Sequence, residues 1–522
     1  MANVDGLTQG FEAVRALREQ VLSLAKELEQ KWRPWIVREE FAASAQNLAA
    51  YLGLRAHDLR DLQLVLTRFG LSSLGRSESR VVETLDALLT NLAVLSGQEQ
   101  APRAQYPSEE KAFRGARTIQ ATAEALFGPG QGKRQTRILV TLPTEAAGNV
   151  ALMKQLLSAG TECVRINCAH DEPATWLSML NALRRAELEL ERKQRTRVLM
   201  DLGGPKVRTL RPRKQAKQPF FVGDQLWLTH AGGDDWKAHK HSRAKVVGCT
   251  LPQALEALAV GQRVFIDDGQ LGAHVIERRG GSALLEIFQA PDAGKKIRSD
   301  KGLNFPDTDF EVSPLTLKDR ADLDFVARHA DMVGYSFVQK EEDIDALLAE
   351  LDQRLDGERE PPALVLKIET RRAVQNLPGL LVSAAGRRPT AVMIARGDLA
   401  VELGFRRMAE IQEEILWLCE AAHVPVIWAT QVLETLAKEG LPTRAEVTDA
   451  AMASRAECVM LNKGPHVVDA VHMLNDVLAR MQAHQYKKSP RLRILHSWEA
   501  LTRSEHERPL SEPPPNEPAS RH

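Results

Sequence analysis

Eight short apolar runs rich in β-branched residues punctuate this chain, near Arg137–Leu142, Cys163–Asn167, Arg197–Leu202, Asp331–Phe337, Leu364–Ile368, Ala391–Ala395, Pro425–Ala429 and Cys458–Leu461. Most neighbouring runs are about 26 to 35 residues apart, with helix-type patterns such as Ala409–Ala422 between them. Continuous apolar runs alternating with helices read as βα units of a parallel sheet, and eight units are the number that closes a TIM barrel. An open doubly wound sheet is the competing arrangement. One long interval breaks the rhythm. From about Arg208 to Asp300 the chain shows short alternating pieces (Gln225–Thr229, Arg263–Asp267, Leu284–Gln289) broken by Gly and Asp, which predicts a small β domain inserted into the barrel.

Before the first run, Phe11, Val14, Leu17, Val21, Leu24 and Leu28 follow three-and-four spacing, and further helical patterns cover Gln46–Leu71 and Arg80–Leu95. The expected organisation is a helical region over 1–130, barrel strands one to three over 131–207, an inserted domain over 208–300, strands four to eight over 301–484, and a largely disordered tail over 485–522. Linkers are expected at Ser96–Ser108 and Phe127–Gln135. The helix pair around Phe69-Gly-Leu-Ser-Ser-Leu-Gly75 carries no concentrated basic face, so a DNA-reading role is set aside.

Across 522 residues, 69 acidic side chains balance 69 basic ones, which argues against a nucleic-acid or membrane surface. No run approaches the ~18 apolar residues of a membrane span, and MANVDGLTQG lacks the pattern of a secretory signal. Five scattered cysteines read as reduced core thiols of a cytoplasmic protein.

In a βα barrel the reactive groups come from the carboxyl ends of the strands. Those positions are consistently polar here: Arg165, Asn167 and His170 after the second run; Asp201 and Gly203-Gly-Pro-Lys206-Val-Arg208 after the third; Ser336 and Lys340 after the fourth; Lys367 and Glu369 at the fifth; Arg396, Gly397 and Asp398 at the sixth; Thr430, Gln431 and Glu434 at the seventh. A lone cation at a strand end is usually solvated, and a lone Asp often only caps a helix. Convergence on one rim outweighs that reading. Two hard oxygen ligands, Glu369 and Asp398, with Lys367 beside them, suit a divalent ion and a phosphorylated acid, and the whole rim suits phosphoryl transfer.

The ordered motifs Val164-Arg-Ile-Asn-Cys-Ala-His170, Met200-Asp-Leu-Gly-Gly-Pro-Lys-Val-Arg208, Ile266-Asp-Asp-Gly269, Lys301-Gly-Leu-Asn-Phe-Pro306, Leu366-Lys-Ile-Glu369, Ala395-Arg-Gly-Asp-Leu-Ala-Val-Glu402 and Ala429-Thr-Gln-Val-Leu-Glu434 followed by Pro442-Thr-Arg-Ala-Glu446 resemble those of pyruvate kinase, over about Thr136–Gln482. The resemblance implies a barrel carrying a small β-barrel lid after its third strand. It also implies transfer of a phosphoryl group from phosphoenolpyruvate to ADP, with Mg2+ or Mn2+ held by Glu369 and Asp398. Lys367 then looks like the catalytic lysine, Thr430 the residue at the enolate carbon, and Ala395, Arg396, Gly397 and Asp398 the turn that receives the substrate carboxylate. Arg165, His170, Arg208 and Lys301 match positions facing phosphates and nucleotide, and Asp268 a lid position. A homo-oligomer is expected.

The departures are specific. Asn167 and Asp201 match the potassium-binding pattern of the family, but Ala169 and Leu202 replace hydroxyl residues, and Lys206 stands at a glutamate position, so activity without potassium is expected. The Ser-Gly-Glu-Thr that usually follows the eighth strand reads Asn462-Lys-Gly-Pro465. About 40 residues follow the last barrel helix, where many relatives carry an effector-binding domain. Residues 1–130 are a candidate for oligomer contacts or regulation. Two other readings are weighed: a different metal-dependent enzyme of phosphoenolpyruvate or pyruvate, against which the lid argues, and a non-catalytic regulatory relative, against which Lys367 and Glu369 argue.

Overall fold

In the computed structural model the described residues are 2–490, apart from 99–104, 133, 211, 213–217, 231–238, 240–243, 311, 314, 356 and 358. The tail expected from Leu510 to His522, and part of the first linker, lie outside them. Eight parallel strands close a barrel: β1 (Arg137–Thr141), β2 (Cys163–Asn167), β3 (Arg197–Asp201), then, after the insert strands β4 to β10, β11 (Met332–Tyr335), β12 (Ala363–Ile368), β13 (Thr390–Ala395), β14 (Val426–Ala429) and β15 (Cys458–Leu461). Each coincides with a predicted run to within about two residues. β1 pairs with both β2 and β15, so the sheet has no edge and the open doubly wound arrangement is ruled out.

Side chains alternate along each strand, and closure sends one set inward. Leu139, Cys163, Leu199, Met332, Val365, Met393, Ile427 and Met460 form an interior cluster, while Val140, Val164, Val198, Val333, Leu364, Val392, Trp428 and Val459 pack on the helical shell.

Among the described residues five α-helices precede the barrel: α1 (Ala2–Trp32), α2 (Glu39–Arg55), α3 (Arg60–Arg68), α4 (Val81–Leu95) and α5 (Glu109–Phe127). The three-and-four stripe of α1 buries Phe11, Val14, Leu17 and Val21 in one continuous core with the outer barrel layer. The end of α5 supplies Ala123, Leu126 and Phe127 to the barrel interior itself, closing its amino-terminal mouth. The five cysteines are free and buried, and no helix among the described residues is long and apolar enough to cross a membrane.

The insert is a seven-stranded mixed sheet in the order β10-β7-β8-β9-β5-β6-β4, formed by β4 (Thr209–Leu210), β5 (Gln225–His230), β6 (Lys245–Cys249), β7 (Arg263–Ile266), β8 (Leu271–Arg279), β9 (Ser282–Gln289) and β10 (Leu303–Asn304). It has its own apolar cluster, including Phe220, Leu228, Val264, Ala273 and Leu285. Four of these strands were not among the pieces expected from sequence: β4 and β10 are only two residues long, β6 contains Gly248, and β8 ends in Glu277-Arg-Arg279 after a bulge between Val275 and Glu277. At the far end, Gln485–Tyr486 and Ser489–Pro490 pair as a small hairpin where a tail was expected.

Polar contacts fix the helical region to the barrel. The buried Asn47 amide donates to the Glu78 carbonyl at 2.7 Å and the Ala421 carbonyl at 2.8 Å, and its oxygen accepts from the Val81 amide at 3.0 Å. His423, on the barrel side, is 2.9 Å from Ser44 Oγ through Nδ1 and 3.1 Å from the Ser79 carbonyl through Nε2. A carbonyl can only accept, so Nε2 carries the proton and Nδ1 accepts from the Ser44 hydroxyl. Burial pushes His423 down to about 4 from its ordinary 6.5.

Asn47→Ala strands three buried backbone groups and is expected to cost about 2–3 kcal/mol in urea unfolding. His423 stays neutral in the folded protein at pH values where the unfolded chain protonates it. Its contribution is therefore complete above pH 6.5 and is lost as pH falls towards about 4. Stability of the parent is expected to fall by up to roughly 3 kcal/mol more than that of His423→Gln across this window, read by denaturant titrations at stepped pH. Parallel pH profiles for the two would refute it.

Candidate active site

Strand parity carries the apolar interior up into a charged layer. The inward residue above Cys163 on β2 is Arg165; above Leu199 on β3 it is Asp201; above Val365 on β12 it is Lys367; above Leu139 on β1 it is Thr141. Glu369 lies in the same phase just past the end of β12. Gly334 on β11 makes room for the group, because a Cβ there would lie 2.4 Å from Asp201 Oδ1.

Asp201, fully buried, takes two cations on one oxygen. Arg165 Nε donates to Oδ2 at 2.8 Å, and Lys367 Nζ is 3.3 Å from the same atom. Arg165 also donates to Thr141 Oγ1 at 3.2 Å. Lys367 Nζ donates to Ser336 Oγ at 2.6 Å and lies 3.0 Å from Glu369 Oε1. Burial disfavours the Lys367 ammonium, but Asp201 and Glu369 outweigh it and hold its pKa above the ordinary lysine value. Burial likewise opposes the Asp201 carboxylate, and Lys367 and Arg165 hold it below the ordinary range. Glu369 goes the other way: burial raises it, and Asp398 and Asp201 add to that rise against the pull of Lys367.

A second group stands beside the first. Asp398 is in the first turn of the helix Arg396–Leu403, and Lys206 Nζ meets its two oxygens at 2.8 and 3.1 Å while lying 3.8 Å from Asp268 of the insert. Asn304, on β10, directs its amide to Glu402 at 3.3 Å, with a longer 3.5 Å approach to Asp398. Burial pushes Glu402 up to about 7. Thus the ion pairs of Lys206 join it to Asp398 and Asp268, while Asp201 meets Arg165 and Lys367. Asn167 Oδ1 accepts from the Ala169 amide at 3.1 Å, within its own turn.

The turn Ala395-Arg-Gly397 is tied to the end of β14. Arg396 donates to the carbonyls of Ala429 at 3.0 Å and Thr430 at 2.6 Å and to Asp449 Oδ2 at 2.8 Å, over the Trp428 ring. Its side chain therefore shapes the turn, and the Gly397 amide donates to Thr430 Oγ1 at 2.9 Å. Thr430 has φ 63°, left-handed backbone that a β-branched residue rarely adopts unless its surroundings enforce it. At the outer edge, Arg208 donates to the Asp300 carbonyl at 3.1 Å, Lys301 is 2.9 Å from Asp267 Oδ1, and His170 lines a cavity of about 460 Å3 with Arg165, Asn167 and Asp268.

Glu369 and Asp398 offer hard carboxylate oxygens, and Asp398 raises the cost of ionising Glu369, a repulsion that a divalent cation held by both would remove. The donor set fits such an ion. Among the described residues no group of three or more His, Cys, Asp or Glu side chains is placed to hold a metal, so further ligands would come from substrate and solvent. Ser336 was named from sequence only as a polar rim position after the fourth run, and Thr141, Asn304 and Glu402 were not singled out as site residues. Thr141 is recoverable from the parity of β1, and Asn304 and Glu402 stand inside the Lys301–Pro306 and Ala395–Glu402 motifs.

A family model for the pyruvate kinase barrel domain matches residues 133–466. The chain is 31% identical over 378 residues to a pyruvate kinase of Naumovozyma castellii, covering 71% of each, and 30% identical over 367 residues to one of Agrobacterium vitis, covering 68% of this chain and 70% of that one. Among solved structures it is similar to a pyruvate kinase from Cryptosporidium parvum, with a TM-score of 0.59 and 24% identity, covering 69% of this chain and 72% of the other.

Removing the shared counter-ion leaves Lys367 and Arg165 facing each other in a dry site. Asp201→Ala is expected to cost about 3–5 kcal/mol of stability in urea unfolding, with Asp201→Asn losing less because it keeps the hydrogen bonds. Near-parent stability of the alanine variant would show that the two cations do not depend on this carboxylate.

Proposed function

The chain belongs to the pyruvate kinase family and is a phosphotransferase of that type, and from that premise we propose that it transfers the phosphoryl group of phosphoenolpyruvate to ADP, giving pyruvate and ATP. The observation that carries this reading is the inward triad Arg165, Asp201 and Lys367 with Glu369 at 3.0 Å from the lysine. Members of the family generally need a divalent metal, and Glu369 and Asp398 would hold Mg2+ or Mn2+ here. When bound, that ion supplies positive charge to the oxygens of the phosphorylated substrate.

The chain's own residues account for the remaining work. Breaking the bond between the enol oxygen and phosphorus leaves an enolate, while a terminal phosphate oxygen of ADP forms the new bond to phosphorus; the enolate carbon then takes a proton to give pyruvate. Negative charge spreads over the phosphoryl oxygens and the enolate during transfer. Lys367 carries a positive charge kept in place by Asp201 and Glu369, so the cation needs no reorganisation as that charge develops. Arg165, gripped at Nε and Nη1, offers a second fixed cation towards the phosphoryl group. Thr430 would stand at the enolate carbon, the turn Ala395, Arg396, Gly397 and Asp398 would receive the carboxylate, and His170, Arg208 and Lys301 would face the nucleotide.

The assignment extends to the monovalent ion. Lys206 places an ammonium on the rim against Asp398, and Ala169 and Leu202 offer no hydroxyl, which supports turnover without potassium. A homo-oligomeric state and a cytoplasmic location complete the proposal.

A coupled assay for pyruvate from phosphoenolpyruvate and ADP with magnesium, run with and without potassium, is expected to show activity in both conditions. Lys367→Met is expected to lose at least 100-fold in kcat. No pyruvate from the parent protein would reject the activity; dependence on potassium would reject the role of Lys206; unchanged turnover in the variant would reject that of Lys367.

A further inference from the structure

The cavity of about 460 Å3 beside Arg165 has the size of a small-molecule site and is walled by Thr141, Arg165, His170, Asp268, Lys438 and Lys463, among others. Its cations are unequal. Arg165 is matched by Asp201, and Lys438 is 2.5 Å from Glu434. Lys463 joins no carboxylate among the described ion pairs, and it stands where the family's usual Ser-Gly-Glu-Thr sequence has been replaced.

The loop that carries it is held on both sides. Asn462 Nδ2 donates to Glu434 Oε2 at 3.1 Å, on the oxygen opposite the one paired with Lys438. On the other side Gly464 lies so close to the helix Glu434–Glu439 that a Cβ would be 2.2 Å from the Ala437 carbonyl, which itself accepts from the His466 amide at 3.0 Å. The backbone flanking Lys463 is therefore anchored, and the lysine is directed over the cavity at little cost in loop entropy. Its charge is felt inside: His170 is held below the ordinary histidine range first by burial, then by Lys463 and Arg208.

We propose that Lys463 is a specificity-determining residue that selects the incoming nucleotide by its phosphate chain, a role that rests on the phosphoenolpyruvate and ADP reading above. An anion entering this cavity meets one cation with no internal counter-ion, so the lysine is free to pair with a phosphate without first breaking a salt bridge. The flexible ammonium on its long stem suits a mobile phosphate chain as a point charge.

The test pairs kinetics with binding. Lys463→Ala is expected to raise KM for ADP about tenfold, to move KM for phosphoenolpyruvate less than twofold, and to be rescued by Lys463→Arg. Calorimetric titration without turnover is expected to show the same tenfold loss for ADP and no change for adenosine. If the parent makes no pyruvate yet binds ADP in a manner dependent on Lys463, the activity assignment fails and this inference stands. If ADP binds parent and variant within twofold of each other, does not bind at all, or loses no more than adenosine, the inference is overturned.

Discussion

Closure of eight parallel strands is the constraint on which the rest of this molecule depends. Closing the sheet removes its edges and divides every strand into an inward and an outward set. The inward set has only a narrow lumen to fill, and it does so in apolar layers until the carboxyl ends of the strands, where Arg165, Asp201 and Lys367 take the next inward places. Charged groups at that height cannot be solvated as surface groups are, so they must satisfy one another. Asp201 does this for Arg165 and Lys367 together, with Glu369 as a second partner of the lysine, and Gly334 on the neighbouring strand leaves room for the Asp201 carboxylate.

That arrangement leaves the site with a surplus of fixed positive charge facing the rim, and the rim acids divide it. Glu369 pairs with Lys367 and Asp398 with Lys206, and the charge of Asp398 is felt at Glu369. The insert feels the same charges, because Lys206 also approaches Asp268 and because Asn304, on the strand that returns the chain to the barrel, touches Glu402. Insert and rim meet through these polar contacts, and the two β layers keep separate apolar cores.

The eight barrel strands were legible because each is buried on both faces and so reads as an unbroken apolar run. Strand β8 was not, since one of its faces meets solvent and a bulge interrupts its alternation. The placement of polar residues at the strand ends was legible for the same reason as the strands: position follows from parity. What sequence could not supply was partnership. Lys206 was expected beside Asn167 and Asp201, yet its hydrogen bonds go to Asp398, while Asn167 folds back on Ala169. A side chain with several rotatable bonds, placed between barrel and insert, can pair with an acid of either, here Asp398 and Asp268, and only the three-dimensional field of charges decides between them. The hairpin at Gln485–Pro490 was missed because its residues carry no apolar pattern; it is held by charge, Lys487 on Glu457 and Lys488 on Glu78.

Those last pairs bear on what the helical region does to the barrel. Strand β14 is four residues long, and Thr430 follows its end in a strained conformation. At its start, the Val426 amide donates to Glu457 Oε2 at 2.9 Å, and the other oxygen of Glu457 is paired with Lys487. Three residues earlier, His423 is gripped by Ser44 and Ser79, and Asn47 holds the Ala421 carbonyl. A strand this short has few ladder bonds with which to set its own register, and its rise spans only about 13 Å from the gripped corner to the reactive rim. The positive φ of Thr430 has to be enforced from outside the residue. Arg396, donating to the Thr430 carbonyl and held by Asp449, acts on it at the rim, while the helical region and the closing hairpin fix where the strand begins.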